Sequence, residues 1–363
     1  MVRLVDGLVC FAGSTCWAQV TVYVWHGGPW AQSGEPKVNV LVTGGAGYVG
    51  SVVAEVLLEH GHGVVVVDNL QQGHREAVPP QAEFIPADIR DARAIREVFE
   101  RFPIDSVMHM AAETVVEYSV IDPKKHFEVN VVGGLTLLDA MLKHNVGELI
   151  FSSSAAVYGE PQSVPIGEDH PQVPINAYGE SKLMFERILD WYARAYGLKY
   201  VTLRYFNAAG ASQSRGEDHR PETHLIPNVV KVALGMSETV SLFGSDYPTR
   251  DGTCVRDYVH VVDIAQAHVL ALSAIGRLSG KAYNLGSSQG HTVLEVVTAV
   301  GKVTGAHVPV AICPRRPGDP AVLLASSDRA KSELGWEPEF PDIEAIVESA
   351  WRWAKAHPRG YRA

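Results

Sequence analysis

Cysteine is scarce in this sequence, and its distribution excludes two common roles. Only Cys10, Cys16, Cys254 and Cys313 occur among 363 residues. No pair of them has the spacing of a zinc site, and neither Cys254 nor Cys313 lies in a CxxC motif. We therefore expect reduced thiols in a cytoplasmic protein, and no metal site is predicted.

The sequence also has few positively charged residues and no long apolar runs. The 31 lysines and arginines are outnumbered by 41 aspartates and glutamates, which gives a net charge of -10. Nucleic-acid-binding proteins usually need a basic surface against the phosphates, so nucleic acid is not the expected partner. An anionic small molecule stays compatible, because a few arginines can form a local site. No apolar run reaches the roughly 18 residues of a membrane span, so no membrane partner is predicted.

Residues 1–36 do not fit the pattern of the remaining chain. They contain one early arginine and an apolar stretch that Asp6 interrupts, which is a poor match to a signal peptide. A signal peptide stays an alternative, but we expect an atypical extension, disordered or produced by an upstream start codon. The protein proper would then begin near Val38. An intact mass that corresponds to a chain beginning near Met1 would contradict the start-codon interpretation.

From residue 38 onwards, short β-branched runs alternate with longer helical patterns. Runs such as "VNVLVTG", "GVVVVDN" and "ELIFSSS" are apolar almost throughout, which is typical of parallel strands covered on both faces. The pattern predicts an α/β fold with a doubly wound parallel sheet (Rossmann) over residues 37–210. After residue 210 loops interrupt the pattern, and we predict a smaller C-terminal α/β lobe over 211–363 that builds the substrate site, with segments that can cross back.

A glycine-rich turn follows the first predicted strand. Gly45, Gly47 and Gly50 have GxGxxG spacing, and Gly44, Gly47 and Gly50 have GxxGxxG spacing. Because the turn lies between a strand and a helix, the helix N-terminus can face a pyrophosphate. Asp68 ends the next strand, where a carboxylate accepts bonds from ribose hydroxyls and repels a 2'-phosphate. The pattern therefore predicts NAD rather than NADP.

Further candidates follow the third, fourth and fifth strands. Asp88, Ala111 and Ala112 lie at strand ends that line the cofactor crevice of such a sheet, although Asp88 fits a turn or helix cap equally well. After the fifth strand comes "NAYGESKLMFE", in which Tyr178 and Lys182 share one helix face. A nearby ammonium and an oxidised nicotinamide would both lower the pKa of the tyrosine, so that it could act as a base. Ser154 could bond the same substrate oxygen.

Several motifs together resemble a known family. "SSSAAVYG", "YGESK", "LRYFNAAG", "RDYVHVVDIA" and "RRPGDP", with the glycine turn, are similar to the extended short-chain dehydrogenase/reductase family. The resemblance extends from about residue 38 to the C-terminus, and "FGSDYPTRDGTCVRDYVHV" is more particular to its UDP-hexose 4-epimerases. The resemblance implies that Tyr178 is the catalytic base, Lys182 its partner and Ser154 a further catalytic residue. It also implies a homodimer.

The resemblance implies two sets of binding residues. The NAD contacts are Gly44, Gly47, Tyr48, Val49, Gly50, Asp68, Asn69, Asp88, Ile89, Ala111, Ala112, Asn130, Tyr178, Lys182 and Phe206. The contacts to the nucleotide sugar are Ser154, Tyr178, Asn207, Leu225, Phe243, Arg256, Arg316, Asp319 and Leu323. Forked arginine donors suit a diphosphate. Thr114 stands where many relatives carry a lysine, which puts that contact in doubt.

The implied function is NAD-dependent interconversion of UDP-glucose and UDP-galactose, by inversion at C4 through a 4-keto intermediate. Leu323 is smaller than the tyrosine of some relatives, which leaves a UDP-N-acetylglucosamine 4-epimerase or a dual-specificity enzyme as alternatives. Residues 152–156 do not ionise, which argues against a nucleotide-sugar dehydratase or decarboxylase. Asp68 disfavours an NADPH-using 4-ketoreductase. A non-catalytic dinucleotide-binding protein is the remaining alternative, and the retained Tyr178 and Lys182 argue against it.

Overall fold

The computed structural model describes residues 37–316 and 319–362, and its centre is a parallel β-sheet. The predicted extension over residues 1–36 lies outside the described residues. The strands are β1 (Asn39–Thr43), β2 (Gly63–Asp68), β3 (Glu83–Pro86), β4 (Ser106–His109), β5 (Glu148–Ser154), β6 (Lys199–Tyr205), β7 (Asn207–Ala209), β8 (Val240–Phe243), β9 (Val255–His260), β10 (Lys281–Leu285), β11 (Gly290–Thr292), β12 (Val310–Cys313) and β13 (Val322–Leu323). The helices are α1 (Tyr48–Glu59), α2 (Ala92–Arg101), α3 (Val116–Ile121), α4 (Pro123–Phe127), α5 (Gly134–Lys143), α6 (Ala177–Tyr196), α7 (Leu225–Ala233), α8 (Val261–Leu278), α9 (Val293–Thr304) and α10 (Ile343–Ala356).

Seven parallel strands form the main sheet in the order β10-β6-β5-β4-β1-β2-β3. Both faces of this sheet are covered. Val40 and Val42 of β1 pack into a core shared with α1 and α8, whereas Leu41 packs into a core on the opposite face with α2, α5 and α6. This two-sided burial explains why the strand sequences are apolar almost throughout. The predicted doubly wound parallel sheet is confirmed.

The chain beyond residue 210 contributes to the main sheet as well as to the second lobe. Strand β10 pairs in parallel with β6 at the sheet edge, and α8 packs against α1 and β6. The first lobe is therefore completed by residues that come late in the sequence.

The segment that follows α4 is not a regular α-helix: residues Glu128–Gly133 form a π-helical turn that leads into α5.

The second lobe is built from short strands and three helices. Strand β9 pairs with β7, β11 and β13, and β8 pairs in parallel with β12. Helices α7, α9 and α10 enclose a separate core that includes Val229, Val296 and Ile346. These short pairings bring the ends of β8, β9, β12 and β13 close to one another.

Helix α8 has the length and mean hydropathy of a membrane span, with 18 residues and a value of 1.4. Within the described residues it is the one helix that meets both criteria. It is 72% buried inside the protein, between α1 and the sheet. Its apolar composition is therefore that of a core helix.

Candidate active site

The glycine-rich turn folds closely onto the end of β4. Gly44 has a φ of +74°, and a Cβ atom on it would lie 2.6 Å from the Ala111 backbone nitrogen. A Cβ atom on Gly50 would lie 2.2 Å from the Gly44 carbonyl oxygen. Gly47 caps α1 without a side-chain hydrogen bond, and the first turn of α1 has no acidic residue. The N–H groups at the start of α1 are thus left for an anion, and the turn fits the pyrophosphate of a dinucleotide.

Asp68 lies at the end of β2, beside this turn. Its carboxylate accepts hydrogen bonds from the backbone nitrogens of Ala46 at 3.0 Å and Leu70 at 2.8 Å. Burial raises the pKa of Asp68, and the two backbone bonds oppose that shift. The bonds fix the carboxylate in one orientation, and each of its oxygens keeps a lone pair for a ribose hydroxyl.

Asn69 and Asp88 lie together at the next strand end. Asn69 Nδ2 donates to Asp88 at 3.0 Å, and Arg90 pairs with the same carboxylate at 2.8 Å. The bonds from Arg90 hold the pKa of Asp88 well below its usual range. Ile89 is buried and packs where a side chain on Gly133 would otherwise lie. The charge of Asp88 is therefore balanced by Arg90, and its contact with adenosine stays a prediction.

Two predicted NAD contacts are largely occupied by other parts of the chain. Asn130 exchanges hydrogen bonds with the backbone of Glu113 at 2.7 and 3.0 Å, and its amide also donates to Ser181 at 2.8 Å. The Tyr48 hydroxyl donates to the Gly210 carbonyl at 2.6 Å. In the described structure Asn130 connects the loop after β4 to α6, and Tyr48 connects α1 to the residue that follows β7.

Tyr178 and Ser154 face each other at the carboxyl edge of the sheet. Asn176 caps α6 by accepting from the Gly179 nitrogen at 2.8 Å. Gly179 comes so close to the turn after β5 that a Cβ atom there would lie 2.4 Å from the Ala156 oxygen. This approach brings the start of α6, with Tyr178, against the end of β5, with Ser154. The two side chains interact through a hydrogen bond.

The three serines at the end of β5 have different partners. Ser152 bonds the Nε2 atom of His268 at 2.8 Å, and Ser153 donates to Glu186 at 2.5 Å. Ser154 is the one whose hydroxyl lies beside Tyr178. The structure therefore brings together the serine and tyrosine that the sequence selected.

Lys182 is buried beside Tyr178, and its Nζ lies 6.0 Å from the centre of the Tyr178 ring. Its Nζ donates to the Ser152 carbonyl at 2.8 Å and lies 4.9 Å from the centre of the Phe151 ring. Burial raises the pKa of Tyr178, and Ser154 alone opposes this shift. The sequence-based expectation that Lys182 lowers the pKa of Tyr178 is not met by the side chains alone, because burial dominates.

A buried ion pair that the sequence analysis missed lies behind this site. Glu186, one turn after Lys182, forms a two-bond pair with Arg204 of β6, at 2.5 and 3.0 Å. Arg204 also donates to the Tyr158 hydroxyl at 2.9 Å. A charged residue, Arg204, within the buried strand β6 was the available signal, although it does not identify the partner. Burial lowers the pKa of Lys182 to about 7, and the negative charge of Glu186 opposes that shift.

We expect the charge of Lys182 to make stability depend on pH. The folded protein releases this proton near pH 7, whereas the unfolded chain holds it to about pH 10.4. Between these values the unfolded state binds more protons, so this group makes the free energy of unfolding rise with pH. Lys182→Met should therefore increase the free energy of unfolding, relative to wild type, most strongly at pH 6. This increase should become smaller as the pH rises towards 9.

Urea unfolding of NAD-free protein at several pH values tests this expectation. Lys199→Met is the matched control, because Lys199 is an exposed lysine paired with Glu148. If the difference between Lys182→Met and wild type stays constant from pH 6 to pH 9, Lys182 is not the group that titrates.

The predicted substrate residues come together through two strand pairs. Leu323 on β13 lies opposite Arg256 on β9, and the Arg256 guanidinium contacts Asp319. Phe243 ends β8, and Arg316, just after β12, stacks 4.0 Å from the centre of its ring. Neither arginine is free: Arg256 is buried and paired, and Arg316 approaches Glu117 at 3.3 Å.

The remaining substrate candidates lie where the chain passes from the main sheet into the second lobe. Asn207 begins β7, separated from the end of β6 by one residue, and Leu225 begins α7. Phe206 is buried with Ala155 in an apolar cluster against which Leu323 packs. This cluster joins the Tyr178 side of the site to the β13 side.

Comparison with known proteins agrees with this arrangement. The model of the NAD dependent epimerase/dehydratase family matches residues 40–286. A UDP-glucose 4-epimerase from Lacticaseibacillus casei is 51% identical over 328 residues, which cover 89% of this chain and 99% of the relative. The chain belongs to the NAD-dependent epimerase/dehydratase family. The family resemblance seen in the motifs is thereby confirmed.

Solved structures of other family members have the same fold. The UDP-glucose 4-epimerase from Bifidobacterium longum, in complex with NAD+ and UDP, is 40% identical with a TM-score of 0.85, and the match covers 89% of this chain and 99% of that one. The UDP-Glc/GlcNAc 4-epimerase from Campylobacter jejuni is 37% identical with a TM-score of 0.77, and the match covers 88% and 99%. Family members of this kind therefore share both lobes with this chain.

Proposed function

We propose that this chain is a UDP-glucose 4-epimerase that interconverts UDP-glucose and UDP-galactose with bound NAD. The observation that carries the proposal is the pair Tyr178 and Ser154 at the carboxyl edge of β5, with Lys182 buried beside them. The names of relatives that are about half identical over nearly the whole chain support the substrate.

The protein side chains act on the proton of the sugar 4-hydroxyl. Tyr178 accepts this proton and later returns it, and Ser154 holds the oxygen in place. NAD, held by the glycine turn and Asp68, supplies the redox chemistry at C4 that no side chain provides. Burial raises the pKa of Tyr178 and favours the neutral phenol, so the positive charge of bound NAD+ would have to lower that pKa before Tyr178 could act as a base.

Inversion at C4 requires a firmly held nucleotide and a loosely held sugar. Arg256 and Arg316 carry the forked donors for a diphosphate, from two different strand pairs. Arg256 already contacts Asp319, so binding of UDP would redistribute that charge between the diphosphate and the carboxylate. The apolar cluster of Phe206, Ala155 and Leu323 offers few hydrogen bonds to a hexose, which leaves the 4-keto sugar free to turn.

The direct test is an assay of the purified full-length chain. It should contain NAD and should convert UDP-galactose to UDP-glucose without added cofactor. Protein that retains NAD but turns over neither sugar would contradict the epimerase proposal.

A second candidate activity is the epimerisation of UDP-N-acetylglucosamine. Leu323 is half-buried on β13, beside the apolar cluster, and a leucine there leaves more room than a tyrosine. We expect wild-type protein to accept UDP-N-acetylglucosamine, and Leu323→Tyr to reduce kcat/KM for that substrate by roughly tenfold or more. Activity on UDP-glucose should change little. Leu323→Met is the control of similar volume and should keep both activities, and equal loss of both in Leu323→Tyr would contradict a role in specificity.

We also propose a homodimer formed through α6 and the π-helical turn before α5. These segments pack together and expose apolar side chains, including Trp191 at 65% and Val132 at 52%. Met184 lies two turns before Trp191 on the same face of α6. Sedimentation or light scattering should give twice the chain mass.

For its location we propose the cytoplasm. The two cysteines among the described residues, Cys254 and Cys313, are free thiols, as expected in a reducing compartment. Fractionation of the native cells would test this proposal.

A further inference from the structure

A cluster of histidines and glutamates lies in the loop between β7 and α7, directly before Leu225, and none of its residues is among the predicted contacts to NAD or the nucleotide sugar. The sequence "GEDHRPETH" holds two Glu-x-His units, Glu217 with His219 and Glu222 with His224. One ligand atom from each of the four side chains lies within 4.8 Å of the other three. The spacing of the cysteines predicts no metal site, and this repeated unit is a separate signal that does not involve cysteine.

The donor atoms converge on one carboxylate oxygen. His219 Nδ1 lies 3.0 Å from Glu217 Oε1, and His224 Nδ1 contacts the same oxygen. His224 Nδ1 is also 3.5 Å from Glu222 Oε1. Around a tetrahedral Zn²⁺ with bonds of about 2.0–2.2 Å, donor atoms are roughly 3.3 Å apart. The separations of 3.0 Å (His219 to Glu217) and 3.5 Å (His224 to Glu222) are close to that value.

Charge and burial distinguish this cluster from an ordinary surface group. The side chains of Glu217 and Glu222 are 6% and 3% exposed. Among the described residues, no lysine or arginine forms an ion pair with either carboxylate. Buried carboxylates require compensation, and one divalent cation would balance two of them while both histidines stay neutral.

We propose that Glu217, His219, Glu222 and His224 form a binding site for a divalent transition-metal ion of the Zn²⁺ type. Two imidazole nitrogens and two carboxylates suit Zn²⁺ and similar ions, whereas Mg²⁺ and Ca²⁺ prefer oxygen ligands alone. A cavity of about 250 Å³, lined in part by Glu217 and His219, gives access to the site.

The position of the site gives the ion a structural role. The His219 ring meets the Tyr48 ring edge-on, with centroids 6.2 Å apart, and Tyr48 belongs to the helix that follows the glycine turn. His224 directly precedes α7, whose first residue is Leu225. A bound ion would thus fasten the start of α7 to the α1 side of the protein. This inference does not depend on the proposed epimerase activity.

The competing explanation is a cluster held by ion pairs alone. Glu217 raises the pKa of His224 well above its usual value, so a protonated His224 could also balance part of the charge. In that case the cluster would bind no metal after purification or titration. Metal binding and ion pairing therefore make opposite predictions.

Metal analysis of untagged, full-length protein decides between them. The protein would be stripped with a chelator, reloaded with Zn²⁺ or Co²⁺, desalted and analysed for metal by mass spectrometry. We expect one equivalent of metal per chain, a higher Tm with Zn²⁺, and the visible absorption of tetrahedral Co²⁺. Absence of retained metal, or a spectrum no different from that of Co²⁺ in buffer, would overturn the proposal.

Variants locate the ion. The double variant His219→Ala, His224→Ala and the single variant Glu217→Gln should lose the retained metal and the Zn²⁺-dependent rise in Tm. His307→Ala is the matched control, because His307 is an exposed histidine in the loop before β12, and it should retain one equivalent. Retention of metal by the double variant would overturn the assignment. If the double variant does not fold, the Co²⁺ spectrum of the wild-type chain still gives the answer.

Discussion

Replacing Tyr178 by phenylalanine should reduce kcat for UDP-galactose by about 10²–10⁴, the range that one positioned general acid–base group contributes. The phenol interacts with Ser154 at the edge of β5, and the change removes one oxygen without altering the ring. Affinity for UDP should change little, because the arginines proposed to hold the diphosphate belong to the other lobe. Steady-state kinetics together with calorimetric titration of UDP would measure both quantities.

Tyr196→Phe is the matched control for this variant. Tyr196 is the last residue of the same helix and is largely exposed, so its hydroxyl should not affect turnover. Near-normal kcat in Tyr178→Phe would show that another group accepts the proton. A large loss of UDP affinity would instead indicate that Tyr178 holds the substrate.

Gly50→Ala should destabilise the protein and prevent it from retaining NAD. Two effects oppose each other at this position within α1. Alanine is favoured over glycine inside a helix by roughly 0.5–1 kcal/mol. Against this, the new Cβ atom would lie 2.2 Å from the Gly44 oxygen and 2.9 Å from the Gly45 Cα, and neither backbone atom can move without opening the turn. Overpacking of this kind typically costs about 1–3 kcal/mol, occasionally more, so the clash should win.

Gly276→Ala provides the opposite outcome in another helix. Gly276 lies near the end of α8, and a Cβ atom there would meet nothing within 4 Å. This variant should be more stable than wild type by about 0.4–1 kcal/mol and should keep its NAD. Urea unfolding and the ultraviolet spectrum of the purified proteins measure the two properties. Gly50→Ala protein with normal stability and a full complement of NAD would contradict the close approach in the turn.

The sequence predicted those features that depend on neighbouring residues. The glycine spacing, the apolar strands and the pairing of Tyr178 with Lys182 on one helix face are local, and each is present in the structure. Local spacing could not give the direction of the Lys182 ammonium. That direction depends on the carbonyl of Ser152, which lies on strand β5, 30 residues away from Lys182 in the chain.

Features that were missed depend on contacts between distant segments. Glu186 and Arg204 are separated by a helix end and a loop, and nothing in either segment reveals that they meet. Likewise, the pKa of Tyr178 depends on how deeply the folded protein buries it, which composition does not report. The four residues of the Glu-x-His repeat were visible in the sequence, but their convergence becomes evident only when the loop is folded.

The return of the chain to the main sheet through α8 and β10 has a consequence for synthesis. Until residue 285 has left the ribosome, β6 lacks its neighbour β10. Helix α8 is also not yet in place on the face of the sheet that carries α1. A nascent chain that ends near residue 210 therefore exposes Val40, Val42 and the other apolar side chains of that face. Uncovered sheets of this kind favour aggregation, so the nucleotide-binding lobe matures only after much of the second lobe has been made.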